Sequence, residues 1–461
     1  MEVYSLQKSS YTWKSTVQSY FDKRLAWVLM LGCSSGFPWV LIGSNMSGWL
    51  KDAGFTNTDI GYFSSIFVAY SVNFLWSPLV DRIHIPLVSR WLGQRRSWIF
   101  VCQCIILLST LAIASFSNPT TTHFMMTYGI ALVIAFVSAT QDIAIDAFRI
   151  DTFNKAEESK LPQASAMAVI GWWTGYSLPG YLAFTNADQY GWNTVYFGMA
   201  AVMVVLIIFT LMTREPVTHR DLLQQKAEAR HHQYIESPAL LWLSVTVVEP
   251  FIDFFKRNGV RVALTILLFV FLFKIGEAFL GKMSISFYRE VGFTNEQIGY
   301  YSKMIGWWTT MFFTLIGSMV TVRFGIVKGL MIGGIAMSAS NLMFSWIAQA
   351  GPNEHLFLAT VIVDNFTTAF STVAFVSFLT LMTGQAFSAT QYALLASLGN
   401  AGRTVLSSFS GAMVDYLNNW PLFFVLTAVM VVPSLIMLYL LRHYFTDLLE
   451  KAKASRKQDC I

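Results

Sequence analysis

Apolar runs of about 20 residues, long enough to cross the hydrocarbon core of a bilayer, recur along this whole chain, separated by short polar connections. A segment inside lipid must satisfy its backbone hydrogen bonds internally, so such runs fold as helices. Hydropathy places about twelve. In the first part of the chain they lie near 25–50, 57–80, 97–117, 123–149, 162–185 and 193–213. In the second part they lie near 260–288, 295–322, 325–349, 355–382, 389–414 and 421–442. Composition agrees, with 55% hydrophobic and 12% charged residues and a mean hydropathy of +0.52. A soluble surface that apolar would aggregate. The expectation is an all-α polytopic membrane protein that binds lipid and no nucleic acid.

The stretch "GFTNTDIGYFS" at residues 54–64 returns as "GFTNEQIGYYS" at residues 292–302. Chance likeness of two amphipathic helix starts is one reading; a duplicated unit is the other. Each copy opens the second helix of its half, in the same orientation. Two parallel six-helix repeats resemble the major facilitator fold, whose halves rock about a site near the membrane midplane. The expected organisation is a segment 1–24, a six-helix half 25–213, a linker 214–258, a second half 259–443 and a tail 444–461. The linker turns from polar to "ALLWLSVTVVEPFIDFFKRN", expected as an amphipathic helix along the membrane surface.

Basic residues set the orientation. Arg82, Arg90, Arg95 and Arg96 fill the connection after the second helix, and Lys155 and Lys160 the one after the fourth. The linker and tail are basic too, whereas the opposite connections hold little beyond Lys51 and Arg289. By the positive-inside rule both termini face the cytoplasm. Residues 1–24 carry Lys8, Lys14, Lys23 and Arg24 without the apolar core of a cleavable signal, and are expected as a surface segment. Cys33, Cys102 and Cys104 lie in apolar spans and Cys460 in the tail, and the histidines lack ligand spacing. Neither a disulfide framework nor a metal site is expected.

Ionisable groups within spans are costly and mark function or pairing. The fourth span reads "ATQDIAIDAFRID", with Asp142 and Asp146 four apart on one helix face. Arg149 follows Asp146 by three residues and can neutralise it, which leaves Asp142 the better proton carrier. A structural ion network is the alternative. In "FKIGEAF", Lys274 and Glu277 either form a structural bridge or take part in coupling. Asp364 and Asn365 sit mid-span in the tenth helix, and Asn400 and Arg403 in the eleventh. Lys274 and Arg403 can meet an anionic substrate, or simply neutralise Glu277 and Asp364. "IGWW" occurs at Ile170–Trp173 and at Ile305–Trp308. Indole faces suit sugars, but tryptophan also anchors spans at the lipid interface.

The stretches "SGFPWVL", "AYSVNFLWSPLVDR", "GQRRSWI", "SATQDIAIDAF", "FKIGEAF" and "AFSATQYALLASLGNAGR" resemble the bacterial muropeptide permease family, AmpG, from about residue 25 to 440. The resemblance implies proton-driven import of GlcNAc-1,6-anhydroMurNAc peptides from periplasm to cytoplasm, for peptidoglycan recycling, with a link to β-lactamase induction. It implies an inner-membrane carrier that is no enzyme, needs no cofactor beyond the proton gradient and acts as a monomer. Asp142, Asp146 and Glu277 are the implied proton-coupling set. Tyr70, Asn73, Gln141, Trp172, Lys274, Trp307, Asp364 and Arg403 are the expected substrate contacts. Asp81, Arg82, Arg95 and Arg96 look like a stretched form of the superfamily's gating signature. Asn73 stands where related sequences often carry Lys, and Asp364 where they often carry Glu. Acetyl-coenzyme A carriers and other sugar or drug transporters of this architecture are the rival readings. A membrane-bound enzyme lacks a nucleophile–base constellation, and a non-transporting sensor lacks an appended soluble domain. Reporter fusions at Glu354 and after Lys453 should report opposite sides of the membrane; one shared side would sink this topology.

Overall fold

The computed structural model describes residues 18–55, 63–115, 124–153, 157, 160–216, 248–293, 297–384, 387–407, 409–442 and 444. Among them all regular structure is helical. Span α1 runs from Lys23–Val40 through a π-helical turn, Leu41–Asn45, into Met46–Asp52. Span α2 is built from Val68–Val72, Asn73–Leu75 and Ser77–Arg82; α3 is Gln94–Ser115 and α4 is Phe124–Thr152. The run Leu161–Met212 breaks at Gly191, φ 77°, into α5 and α6. In the second half, α7 joins Val260–Leu272 to Ile275–Val291, and α8 joins a π-helical Ile298–Ile305 to Gly306–Phe324. Spans α9 and α10 are Ile326–Ala350 and Glu354–Met382. Span α11 comprises Ser388–Ala401, a π-helical Gly402–Leu406 and Ser410–Leu417, and α12 is Trp420–Arg442.

Eight of these have the length and apolarity to cross a membrane by composition alone. The four that fall short, α2, α5, α8 and α11, are the middle member of each successive group of three. With α4 and α10 they contribute to the contact between the halves, where polar side chains are useful rather than costly. Within the 214–258 stretch, Glu249–Asn258 is helical, burying Glu249, Pro250, Phe254 and Asn258 and exposing Lys256 and Arg257. Residues 217–247 lie outside the described residues.

The repeated motif repeats its geometry. Gly54 and Gly292 both have positive φ, 86° and 106°, and each ends the first span of its half. The next residue closes the same wide turn, Phe55 N to Leu50 O and Phe293 N to Tyr288 O, both 3.0 Å. Only glycine takes this C′ conformation without strain. Phe55 then packs on Phe124 at the start of α4, and Phe293 on Phe357 at the start of α10, at 5.0 and 4.3 Å. Residues 56–62 and 294–296 of the motif lie outside the described residues.

Within the first half, α1 and α5 approach through two G-x-x-x-G pairs, Gly32 with Gly36 and Gly171 with Gly175. A Cβ on Gly175 would stand 2.1 Å from the Cys33 carbonyl oxygen, and one on Gly36 2.0 Å from that of Trp172. Lipid gives helices no hydrophobic reason to associate, so small residues that admit backbone contact supply the attraction. Near the start of α1, Arg24 bonds Asp22 at 2.8 Å and Glu157 at 2.9 Å, and Lys160 bonds Asp22 at 2.7 Å. The Arg24 guanidinium holds both carboxyls below their ordinary range. Both are therefore charged at neutral pH, and the tether they give weakens only as pH falls below that range.

The halves join at one end. One core cluster unites the starts of α1, α5, α7 and α9 with the ends of α4, α10 and α12. At the far end each half keeps its own cluster. The joint is polar at its centre. Arg95, 1% exposed, bonds Asp81 at 2.8 Å and Asp151 at 2.9 Å, and donates to Ser388 Oγ at 2.8 Å. Ser388 passes a hydrogen bond on to Asp151 at 2.8 Å. Asp81 accepts from the backbone N–H groups of Ala389 and Thr390, at 3.2 and 2.8 Å, and from Thr390 Oγ1 at 2.7 Å. A carboxylate of the first half thus caps the N-terminus of α11 in the second. Arg96 stands apart, bonding the carbonyl of Leu211 at 2.6 Å, and Arg82 ends α2 beside the joint. Arg95 and Arg96 also donate their backbone N–H groups to Glu215, at 2.7 and 3.1 Å.

Two tests follow from this packing. Gly175→Ala should cost about 1–3 kcal/mol, the usual penalty for overpacking, and lower the melting temperature in detergent. Gly129→Ala, where a Cβ meets nothing within 4 Å, should not; equal melting of the two variants would refute the glycine contact. Asp81→Asn weakens the joint, so spin labels at the exposed far-end residues Tyr190 and Tyr416 should move closer together as the far end closes. An unchanged distance distribution would show that the joint does not hold this conformation.

Candidate functional site

The bonds that join the halves fix which face of each span looks across the gap. On α4, Arg149 donates to Thr380 of α10 at 2.7 Å and lies over the Tyr392 ring of α11 at 5.1 Å. Residues three and four apart share a helix face, so counting back from Arg149 brings Asp146, Asp142 and Ser138 onto that face. On α5, Ser165 accepts from Ser377 of α10 at 3.0 Å, and the same face continues through Trp172 and Tyr176. Asn73 of α2 accepts from Ser397 of α11 at 2.9 Å, with Tyr70 one turn before it. In the second half, Thr380 leads to Thr372 and Asn365 on α10, and Tyr392 leads to Asn400 and Arg403 on α11. Leu31 of α1, packed in a cluster with Ala389 and Ala393, leads to Ser35 and Trp39. Beyond the joint these faces turn toward one another across the gap between the halves.

The first-half wall is aromatic around one carboxylate. Ser35 Oγ donates to Asp142 Oδ1 at 2.6 Å, and Tyr70 OH donates to Ser138 Oγ at 2.8 Å. Trp39 lies 4.4 Å from Tyr70, 4.7 Å from Phe67 and 5.9 Å from Trp172, while Trp172 stacks on Tyr176 at 5.4 Å. Asp146 is paired as expected, 3.0 Å from Arg149. Gln141 turns away from this face: fully buried, it donates to the Ser34 carbonyl at 2.7 Å and ties α4 to α1.

The second-half wall is charged. Lys274 sits where α7 breaks, bonds Glu277, and donates to Ser371 and Thr372 at 2.8 and 2.9 Å. Arg403 rides on the π-helical turn of α11, 4.0 Å from the other oxygen of Glu277, with its side chain 47% exposed. The turn is held close by Gly402, where a Cβ would stand 2.2 Å from the Phe271 carbonyl oxygen. Asp364 receives a 3.4 Å contact from Ser340, and Asn365 accepts from Thr310 at 3.3 Å. The two "IGWW" pairs divide alike. Trp173 and Trp308 are exposed at 38% and 60%, whereas Trp172 and Trp307 are half-buried. The Trp307 Nε1 is buried with no partner among the described residues.

Of the expected substrate contacts, Tyr70, Asn73, Trp172, Lys274, Trp307, Asp364 and Arg403 lie on spans around this gap, and Gln141 lies behind it. Ser35, Trp39, Tyr176 and Thr372 escaped the sequence reading, as did Ser388 and Thr390 of the joint, whereas Asp151 belongs to the ion network that was the alternative reading of the fourth span's end. The stretch "SGFPWVL" held the first two, but nothing local in it marks which residues face the other half. Among the described residues no group of His, Cys, Asp and Glu is arranged to hold a metal.

The family model of the Major Facilitator Superfamily matches residues 28–288. A Rickettsia conorii protein bearing the transporter name AmpG 4 is 35% identical over 424 residues, 91% of this chain and 97% of its own. The anhydromuropeptide permease of Escherichia coli K12 is 34% identical over 423 residues, 91% of this chain and 80% of its own. Among solved structures, the proton:xylose symporter XylE superposes with a TM-score of 0.63 at 13% identity, covering 92% of this chain and 96% of its own. FucP in the outward conformation gives 0.62 at 15% identity, covering 92% and 99%. Two repeated six-helix halves around a central gap, with relatives aligned along most of the length, settle the family: the chain belongs to the AmpG-type transporters of the major facilitator superfamily.

Proposed function

We propose that this protein imports anhydromuropeptides, GlcNAc-1,6-anhydroMurNAc and its peptide derivatives, across the bacterial inner membrane, driven by the proton gradient. It does so as a monomer, without a cofactor and without enzymatic chemistry, in the service of peptidoglycan recycling and of the signal that induces β-lactamase. One observation carries the reading. A relative named anhydromuropeptide permease aligns with 91% of the chain, and a sugar–peptide is the class of ligand that needs both aromatic and charged walls. With both termini and the linker in the cytoplasm, the joined end is the inner gate and the cavity opens to the periplasm.

Four carboxylates stand in different company, and Asp364, which receives only a 3.4 Å contact from Ser340, is the less firmly held of the two without a described cation. Asp146 is held by Arg149 and Glu277 by Lys274. Asp142 is held by the Ser35 hydroxyl, and among the described residues no Lys or Arg reaches ion-pair distance of it. A carboxylate held by a hydroxyl can gain or lose its proton without breaking an ion pair; a paired one cannot. Asp142 is therefore the proton carrier, and alternating access exposes it to each side in turn. Asp142→Asn imitates the protonated form. In vesicles under an imposed pH gradient it should abolish accumulation of labelled anhydromuropeptide, by at least about tenfold, and spare binding or exchange. Full accumulation would move the role to Glu277 or Asp146.

A further inference from the structure

The cavity's two walls differ in chemistry, and that difference says how a ligand is oriented. The first half contributes a continuous aromatic surface: Trp39, Tyr70, Trp172 and Tyr176, from three different spans, with adjacent rings 4.4–5.9 Å apart. Trp39, Trp172 and Tyr176 each keep part of their surface accessible. The faces of Trp and Tyr rings suit the C–H face of a pyranose. The hydroxyls of Ser35 and Tyr70 are spent on Asp142 and Ser138, so this wall offers apolar area more than hydrogen bonds.

The second half contributes cations, but the two are not equivalent. Lys274 is 3% exposed and its ammonium is saturated by Glu277, Ser371 and Thr372. An ammonium has three donors, and all are used. Arg403 has five donors in a planar fork. Its described ionic contact is a 4.0 Å approach to Glu277, and nearly half of its side chain is exposed. A carboxylate arriving in the cavity can take the open edge of Arg403 in a bidentate pair. Lys274 cannot give this without surrendering Glu277.

We infer that the halves read different parts of one molecule: the Trp39–Tyr70–Trp172–Tyr176 wall stacks on a sugar ring, and Arg403 takes a carboxylate of the attached peptide. Lys274 is then a positioning residue, fixing Glu277 so that Glu277 holds Arg403 at the cavity surface without closing its fork. Because the two contacts lie on opposite halves, a ligand carrying both groups bridges the halves, and a bare sugar or a bare peptide touches only one. The inference rests on the anhydromuropeptide reading and adds the polarity of the substrate within the site.

The test uses the full-length protein in lipid nanodiscs and calorimetric binding of three ligands. They are GlcNAc-anhydroMurNAc-tripeptide, the same compound with its peptide carboxylates converted to amides, and the free tripeptide. Arg403→Gln should weaken the acidic ligand about tenfold or more, as loss of a charge-assisted bidentate pair does, and leave the amidated ligand unchanged. Trp39→Leu should weaken both sugar ligands by a similar factor, and Trp39→Phe, which keeps a ring, should recover most of the loss. Thermal melting of each variant separates misfolding from lost contact, and Arg403→Lys, which keeps charge without the fork, should bind the acidic ligand between wild type and Arg403→Gln. Equal losses for the acidic and amidated ligands in Arg403→Gln would overturn the carboxylate assignment. Unchanged sugar binding in Trp39→Leu would overturn the aromatic one. Wild-type protein that binds neither sugar ligand would overturn the function itself, a result distinct from either variant's failure.

Discussion

Everything that can be said about the cavity depends on one buried guanidinium. Arg95 lies between Asp81 and Asp151 at the end where the halves meet, and all three belong to the first half. Charges in so dry a place are costly unless their hydrogen bonds are satisfied. The second half supplies part of that shell through the N-terminus of α11, where the N–H groups of Ala389 and Thr390 donate to Asp81. The contact is therefore favourable only while the halves stay together at this end. Separation would leave Asp81 its pair with Arg95 but take away the N–H groups of α11, and would leave that helix N-terminus without its cap unless water entered.

That joint also sets the geometry of the walls. Helices are stiff, and their faces repeat every three or four residues. Pinning Arg149 against Thr380, Ser165 against Ser377 and Asn73 against Ser397 therefore fixes what faces inward well beyond the joint. Asp142 lies seven residues from Arg149 along α4, about 10 Å at the helical rise. The glycine contact of α1 and α5 completes the placement by bringing Trp39 and Trp172 within ring distance.

The charges in the spans divide by the same logic. Arg149 belongs to the joint as much as to Asp146, since its second amino group crosses to α10. Lys274 is sequestered where α7 is broken, and two hydroxyls of α10 complete its shell. What remains is two carboxylates without a described cation, Asp142 and Asp364, and one cation with an open edge, Arg403. Asp142 and Arg403 are thus held on opposite halves, where motion of one half relative to the other would change the surroundings of both.

The sequence by itself determined the membrane-spanning class, the number of spans and the doubling of the chain, because those follow from apolar length and from a repeated junction. That Gly54 and Gly292 close the preceding helices in a left-handed conformation is what the structure adds to that repeat. Local spacing also exposed the pairs Asp146–Arg149 and Lys274–Glu277, three residues apart on one helix. Contacts between distant spans left no such trace. That Gln141 points backward while its neighbour Asp142 points inward is a matter of α4's rotation, which its packing against α1 decides. That the first tryptophan of each "IGWW" is the inward one depends on the rotation of α5 and α8. Ser388 and Thr390 are ordinary polar residues until the end of α2 is brought to them, 307 to 309 positions away, as when Asp81 meets Thr390. Helical period and hydropathy are properties of a segment. Which face is inward, and which charge is left over, are properties of the packed bundle.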